Sequence, residues 1–247
     1  MDIYAVTWNI KAGRNPDGSY PPDKNENLKR IAEKIAGCDA SIACLQEVDL
    51  GTIRSGRINQ AAFIADRLSE LTGERWHYDY ISSIKMMMGS YGNAIISRFP
   101  LTTVLQQPLS KKYSAENRSF ILTRMDFYGG CLFIGNFHLG LKGDQPIQAA
   151  KIKQVLYSHE FNRGKLLIGG DLNQSEGEAA YNIMRKNKFA MEDSGPSGIG
   201  TLKREGVKSV KADFWFCRGV SMDTSRSMVI DSDISDHMPV MIYLSDL

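Results

Sequence analysis

The chain has 247 residues, 43% of them apolar, and its 30 Lys+Arg against 28 Asp+Glu leave a formal charge of only +2. That apolar content supports one substantial core, while so small a cationic excess excludes a broad nucleic-acid-binding face and a polybasic membrane attachment. No run approaches the roughly 18 uninterrupted apolar residues needed to span a bilayer.

The N-terminus, MDIYAVTWNI, carries Asp2 where a secretory signal would carry a basic stretch, and it passes straight into an alternating strand pattern. Short apolar runs then alternate with amphipathic segments, the pattern of an α/β protein. The first predicted strand is Ile3–Trp8. Leu28, Ile31, Ala32 and Ile35 follow at helical spacing, with Gly37 as the stop, before a strand at Ser41–Gln46. Ile64, Leu68 and Leu71 repeat the helical spacing, stopped by Gly73. Strands are predicted at Tyr91–Ser97, Ser119–Phe127 and Cys131–Phe137, a helix at Asp144–Phe161 and a strand at Lys165–Gly169. A helix at Glu176–Asn187 and strands at Ala212–Cys217 and Met238–Leu244 complete the chain. No low-complexity linker divides it, so one domain over residues 1–247 is expected. Cys38, Cys44, Cys131 and Cys217 form no CxxC pair, and they read as reduced thiols of a cytoplasmic protein.

Polar residues of catalytic type stand where apolar runs end: Asn9, Glu47, His138 and Asp171 each follow one directly. A polar group at a strand end can face a shared cleft while the strand body stays in the core. In Gly169-Gly170-Asp171-Leu172-Asn173, two glycines break a strand and present a carboxylate and an amide two positions apart, which point the same way in extended chain. Such a carboxylate can take a proton from water while the amide positions it; an ordinary turn is the alternative reading. Ser235-Asp236-His237 pairs an acid with an imidazole. Asp213, set in an aromatic run, is a candidate partner for that imidazole. Glu47 at a strand end suits Mg²⁺, and Asp49 reads as a solvated turn residue, with a second metal ligand as the alternative. With no HExxH and no Cys/His cluster, oxygen ligands point to magnesium or manganese rather than zinc.

Other features carry less. Lys85-Met86-Met87-Met88-Gly89 reads as core packing or a covered loop, with an adaptable substrate loop as the alternative. Arg54 and Arg57 flank a turn as phosphate ligands or solvated cations. Lys203, Arg204, Lys208 and Lys211 read as a solvated loop, with contacts to a nucleic-acid backbone as the alternative.

Thr7-Trp8-Asn9, Leu45-Gln46-Glu47, Tyr91-Gly92-Asn93-Ala94, Asn136-Phe137-His138, Gly170-Asp171-Leu172-Asn173 and Ser235-Asp236-His237 occur in the order of the endonuclease/exonuclease/phosphatase superfamily. The resemblance runs from residue 3 to about 244. It implies a DNase I-like fold: a four-layer α/β/β/α sandwich of two packed, mostly antiparallel or mixed sheets. It further implies Mg²⁺ on Glu47, Asn9 and Asp236, with Mn²⁺ as a substitute. Asp171 is then the residue that activates water, supported by Asn173. His237 is the phosphate-stabilising histidine oriented by Asp213, and His138 is the second histidine. Asn93 and Arg118 would reach phosphate oxygens.

Two departures set the chain apart from apurinic-site endonucleases: Lys11 replaces an acid, and His138 replaces a tyrosine. The segment from Asp49 to Gln60 resembles a loop of bacterial hydrolases whose substrates vary. The expected activity is therefore metal-dependent phosphoester hydrolysis by a monomer that does not enter a membrane, as a phosphodiesterase or nuclease. A phosphatase or phosphodiesterase acting on a lipid head group or small molecule, and an inactive binding module of the same fold, are the alternatives.

Overall fold

The computed structural model describes residues 3–158, 161, 164–186, 191–193, 195–204 and 207–245. The first sheet is built on β1 (Ile3–Asn9), β2 (Ala40–Leu50), β3 (His77–Lys85) and β4 (Ser90–Ser97). The C-terminal strands β13 (Ser221–Met222), β14 (Met228–Val229) and β15 (Val240–Ser245) extend it, giving the order β13-β15-β1-β2-β4-β3 with β14 beside β15. The second sheet runs β5-β6-β7-β8-β12-β9, from β5 (Thr102–Leu109), β6 (Arg118–Phe127), β7 (Gly130–His138), β8 (Lys165–Asp171), β9 (Glu192–Asp193) and β12 (Asp213–Arg218). β10 (Leu202–Arg204) and β11 (Val207–Val210) form a separate two-stranded antiparallel sheet. Both sheets are mixed: β1 with β2 and β7 with β8 are parallel, each pair joined through a helix, and the remaining pairings are antiparallel.

Helices α1 (Glu26–Gly37) and α2 (Gln60–Thr72) cover the first sheet, and α3 (Asp144–Ser158) and α4 (Ala179–Arg185) cover the second. Asn59 caps α2 by accepting from the Ala62 amide, and Gly73 ends it at φ 71°, a left-handed conformation that glycine adopts without cost. Period-two alternation explains the layers. Val6 and Trp8 face α1 and α2, whereas Ile3 and Ala5 face the opposing sheet; Phe214 and Phe216 pack under α3 and α4, whereas Trp215 and Cys217 face inward. The result is the expected α/β/β/α sandwich. Its four cysteines are thiols rather than disulfides, and among the described residues no helix is long and apolar enough to cross a membrane.

Several local expectations are corrected. The strand does not break at Gly169-Gly170 but continues to Asp171. Glycine is required there by close approach: a Cβ on Gly169 would lie 2.6 Å from the Trp215 ring, and one on Gly170 2.0 Å from the Phe137 carbonyl. Asp49 is not solvated; it is fully buried, accepting two bonds from Arg54 and one from Thr52. Met86, Met87 and Met88 are exposed between β3 and β4 rather than covered. Lys203 and Arg204 belong to β10 and Lys208 to β11, while Lys211 is buried against Glu176 and Asp193. α4 starts three residues later than expected, at Ala179 rather than Glu176, and the expected end at Asn187 lies outside the described residues, as do residues 159 and 160 of the predicted third helix. β3 and β5 escaped the pattern because both are partly exposed strands without a clean alternation.

Candidate active site

At one end of the sandwich the inward-facing rows turn from apolar to polar. Along β7 the inward positions read Leu132, Ile134, Asn136, His138; along β8, Leu167, Gly169, Asp171; along β12, Cys217, Trp215, Asp213. Strand register then places Ser119, His138, Asp171 and Asp213 opposite one another in a single rung across β6, β7, β8 and β12. The facing sheet contributes Thr7 and Asn9 from β1, Gln46 from β2 and Asn93 from β4.

Glu47 reaches this end through a bulge. The β2–β4 register shifts between Leu45 and Val48, and Glu47 adopts φ 58°, a left-handed backbone uncommon for a non-glycine residue. Its carboxylate is thereby redirected, 3.3 Å from Asn9 Nδ2 and 4.0 Å from Arg14 Nη2. Asn173 of the same site adopts it too, at φ 50°. Strain of this kind persists only where its surroundings fix it.

Asp171 is the hub. Its Oδ2 accepts from Asn9 Nδ2 at 3.2 Å and lies 3.5 Å from His138 Nε2 and 3.8 Å from His237 Nε2; its Oδ1 accepts the Asn173 amide at 2.8 Å. Burial, reinforced by the facing Asp213 carboxylate, pushes its carboxyl up to about 7. His237 sits in an extended segment pinned to β1: Trp8 Nε1 donates to the His237 carbonyl, and Ser235 Oγ to that of Asn9. Burial disfavours a proton on His237, but Asp213, whose Oδ2 accepts from Nδ1 at 2.8 Å, and Asp171 prevail and raise the imidazole to about 10. His138 goes the other way, held well below its ordinary range by burial and then by Arg118 and His237. Its neutral ring takes a hydrogen bond from Asn173 Nδ2 at 3.1 Å.

Of the residues expected to be functional, Asn9, Glu47, His138, Asp171, Asn173, Asp213 and His237 therefore converge. Asp236 lies at the margin, where its carboxylate accepts from Lys11 Nζ at 2.7 Å. The Lys11 departure thus neutralises Asp236. Asn93 donates to the Ser119 carbonyl and leaves its Oδ1 unpaired in a buried position. Arg118 is buried beside Ser119, with Nη1 on Glu116 and Nε unpaired. Asp171, Asp213 and His237 offer ligand atoms within 4.8 Å of one another, but His237 Nδ1 and Asp213 Oδ2 are already bonded to each other.

Sequence reasoning missed the supporting residues. Thr201 donates to Asp213 Oδ2 at 2.6 Å and accepts the Ala212 and Asp213 amides; it comes from a distant loop with no local signal. Gln46 and Asn136 bridge the two sheets beneath the site, Gln46 Nε2 donating to Asn136 Oδ1 at 2.8 Å. Their two-residue offsets from Cys44 and His138 along strands were the available clue.

The profile of the Endonuclease/Exonuclease/phosphatase family matches residues 6–237. The chain belongs to that family. Membership supports a hydrolase of the phosphoesterase or nuclease type, and the DNase I-like fold recurs in solved structures of low identity. An endonuclease/exonuclease/phosphatase family protein from Leptotrichia buccalis has TM-score 0.77 at 18% identity, covering 99% of this chain and 100% of that one. The human Nocturnin catalytic domain, with bound sulfate, has TM-score 0.72 at 16% identity and coverage of 99% and 94%. ANGEL2, a 2′,3′-cyclic phosphatase in complex with adenosine-2′,3′-vanadate, has TM-score 0.69 at 13% identity and coverage of 99% and 95%. No curated protein sequence matches the chain.

Proposed function

We propose that the protein is a metal-dependent phosphoester hydrolase with Asp171 as the base. The observation that carries this is the placement of Asp171: a buried carboxylate in the same rung as His138, 3.5 Å from its Nε2, and 3.8 Å from the Nε2 of a His237 whose Nδ1 is bonded to Asp213, where burial pushes its carboxyl up to about 7. A base is most effective when its pKa lies near the working pH. Asp171 takes the proton of the attacking water as the new P–O bond forms, and the bond to the leaving group breaks without a covalent enzyme intermediate. His237 Nε2–H, held in place by Asp213, donates to the phosphoryl oxygen on which charge accumulates. Asn173 orients His138 and fixes Asp171 through its amide.

The donor set fits Mg²⁺, which takes one or two carboxylates and keeps several waters. Glu47 would hold it, with Asn9 beside it and Asp236 once released from Lys11. A cation there supplies Lewis-acid polarisation of the phosphate. Asn93 and Arg118 are proposed to reach phosphate oxygens of the substrate. We read the chain as one cytoplasmic, monomeric domain.

Between a nucleic-acid and a small-molecule substrate, a bounded cleft beside Glu47 and the formal charge of +2 favour the small phosphoester. The test is a phosphoester panel including single- and double-stranded nucleic acids, assayed with Mg²⁺, Mn²⁺ and EDTA. Hydrolysis abolished by EDTA is expected, with Asp171→Ala and His237→Ala each lowering turnover by at least about 10²-fold. Near-wild-type turnover by either folded variant would sink the assignment.

A further inference from the structure

Glu47 forms one wall of a cleft of about 370 Å³, a size at the low end of small-molecule pockets, roughly 300–1,000 Å³. Arg14 and Arg54 come to it from loops that follow β1 and β2, and Lys111 from the β5–β6 connection; Ile84, Met86 and Tyr91 of the β3–β4 hairpin supply an apolar side. Of the two carboxylates in the lining, Glu116 is bonded to Arg118 at 2.7 Å, and of the three cations Arg54 is paired with Asp49, which leaves Glu47 sharing the cleft with Arg14 and Lys111 as cations that no other carboxylate matches among the described residues.

Arg54 is built into place. Asp49, fully buried, accepts from its Nε at 2.8 Å and its Nη2 at 2.7 Å, and the guanidinium lies 5.2 Å from the Tyr91 ring centroid. Its Nη1 makes no hydrogen bond among the described residues. Arg14 is similarly half-committed, Nε donating to the Lys11 carbonyl at 3.2 Å while Nη2 stands 4.0 Å from Glu47 Oε2. A guanidinium presents paired donors that match a phosphate, and one that is already oriented loses less freedom on binding. A half-buried arginine held only as a counter-ion for Asp49 would not need a second guanidinium and a lysine gathered on the same small volume.

We propose that this cleft binds a second phosphate of the substrate, with Arg54 and Arg14 as its ligands and Lys111 at the rim. The inference rests on the phosphoesterase reading above. It narrows the substrate class to small bisphosphorylated molecules, one phosphate placed for hydrolysis beside Asp171 and the other across Glu47 in the cleft. The apolar side formed by Ile84 and Met86 takes the unreactive framework between them.

The test measures equilibrium binding in the presence of Mg²⁺ for pairs differing only by a phosphate. These are inorganic pyrophosphate and phosphate, adenosine bisphosphate and monophosphate, and fructose bisphosphate and monophosphate, with turnover followed in parallel. At least one bisphosphate should bind about 10-fold or more tightly than its partner, the worth of a charged hydrogen bond. That preference should fall about 10-fold in Arg14→Gln and in Arg54→Lys. Arg54→Lys keeps a cation against Asp49, and Arg14→Gln leaves Asp49 untouched, so a folding defect in one variant does not decide the matter. Absence of preference in every pair, or a preference unchanged in both variants, overturns the proposal. An arginine-dependent preference without any hydrolysis would keep the pocket and reject the hydrolase reading; hydrolysis without preference would do the reverse.

Discussion

Replacement of Asn136 by leucine tests whether a buried polar tie between the sheets holds the site together. Asn136 is fully buried on β7, between the apolar core and His138. Its Nδ2 donates to the carbonyls of Leu45 at 2.9 Å and Ala94 at 2.7 Å, the two residues paired beside the Glu47 bulge, and its Oδ1 accepts from Gln46. Leucine has the same branched outline, though it is bulkier, and satisfies none of these. Gln46 Nε2 keeps Thr7 Oγ1 and the Cys44 carbonyl, each at 3.0 Å, so the cost falls on the two carbonyls. At about 1–3 kcal/mol for each buried group left without a partner, the loss is about 2–6 kcal/mol. A loss in the middle of that range leaves a protein of typical stability, about 5–15 kcal/mol, still folded. Urea unfolding should show a lower midpoint at unchanged m. Since Leu45 carries the bulge, turnover should fall in the folded variant as well. A double-mutant cycle with Gln46→Leu should give a coupling of at least about 0.5 kcal/mol. A stability loss below about 1 kcal/mol would refute the idea that this tie matters.

Asp213→Asn removes the charge that keeps His237 protonated, so His237, raised to about 10 in the wild type, should titrate well below that, read from its imidazole resonances by NMR; an unchanged titration would refute the pairing. In the metal-free wild type the raised imidazole stabilises the fold fully below the unfolded value near 6.5 and progressively less as pH rises through about 10; urea midpoints across that range should decline, and a flat profile would contradict it. Asp144 accepts the backbone amides of Lys112, Tyr113 and Ser114 and the Ser114 hydroxyl, and although burial opposes its charge these bonds hold its carboxyl below the ordinary carboxylate range. Its contribution is present above the unfolded value of about 3.9 and lost as pH falls through the lower folded value, so Asp144→Asn should lose stability at pH 7 but little relative to wild type near pH 2, by urea unfolding. Gly170→Ala places a Cβ 2.0 Å from the Phe137 carbonyl; β8 must shift, and both thermal stability and turnover should fall, with normal values for both counting against close packing there.

Much of this was legible because local chemistry and tertiary position coincide at strand ends. Period-two alternation set the inward face of each strand, and the same parity that buries Ile134, Leu167 and Trp215 carries His138, Asp171 and Asp213 into the site. The sandwich and the convergence of seven polar residues follow from that pattern together with the family resemblance. Only tertiary structure decided the rest. Glu47 is aimed by a bulge that no alternation predicts, Thr201 reaches Asp213 from twelve residues away, and Asp49 is buried because Arg54 folds back onto it. The protonation states are also tertiary: Asp171 rises and His138 falls because each is desolvated beside particular charges, and burial and charge proximity are set by which strands pack together rather than by neighbours along the chain.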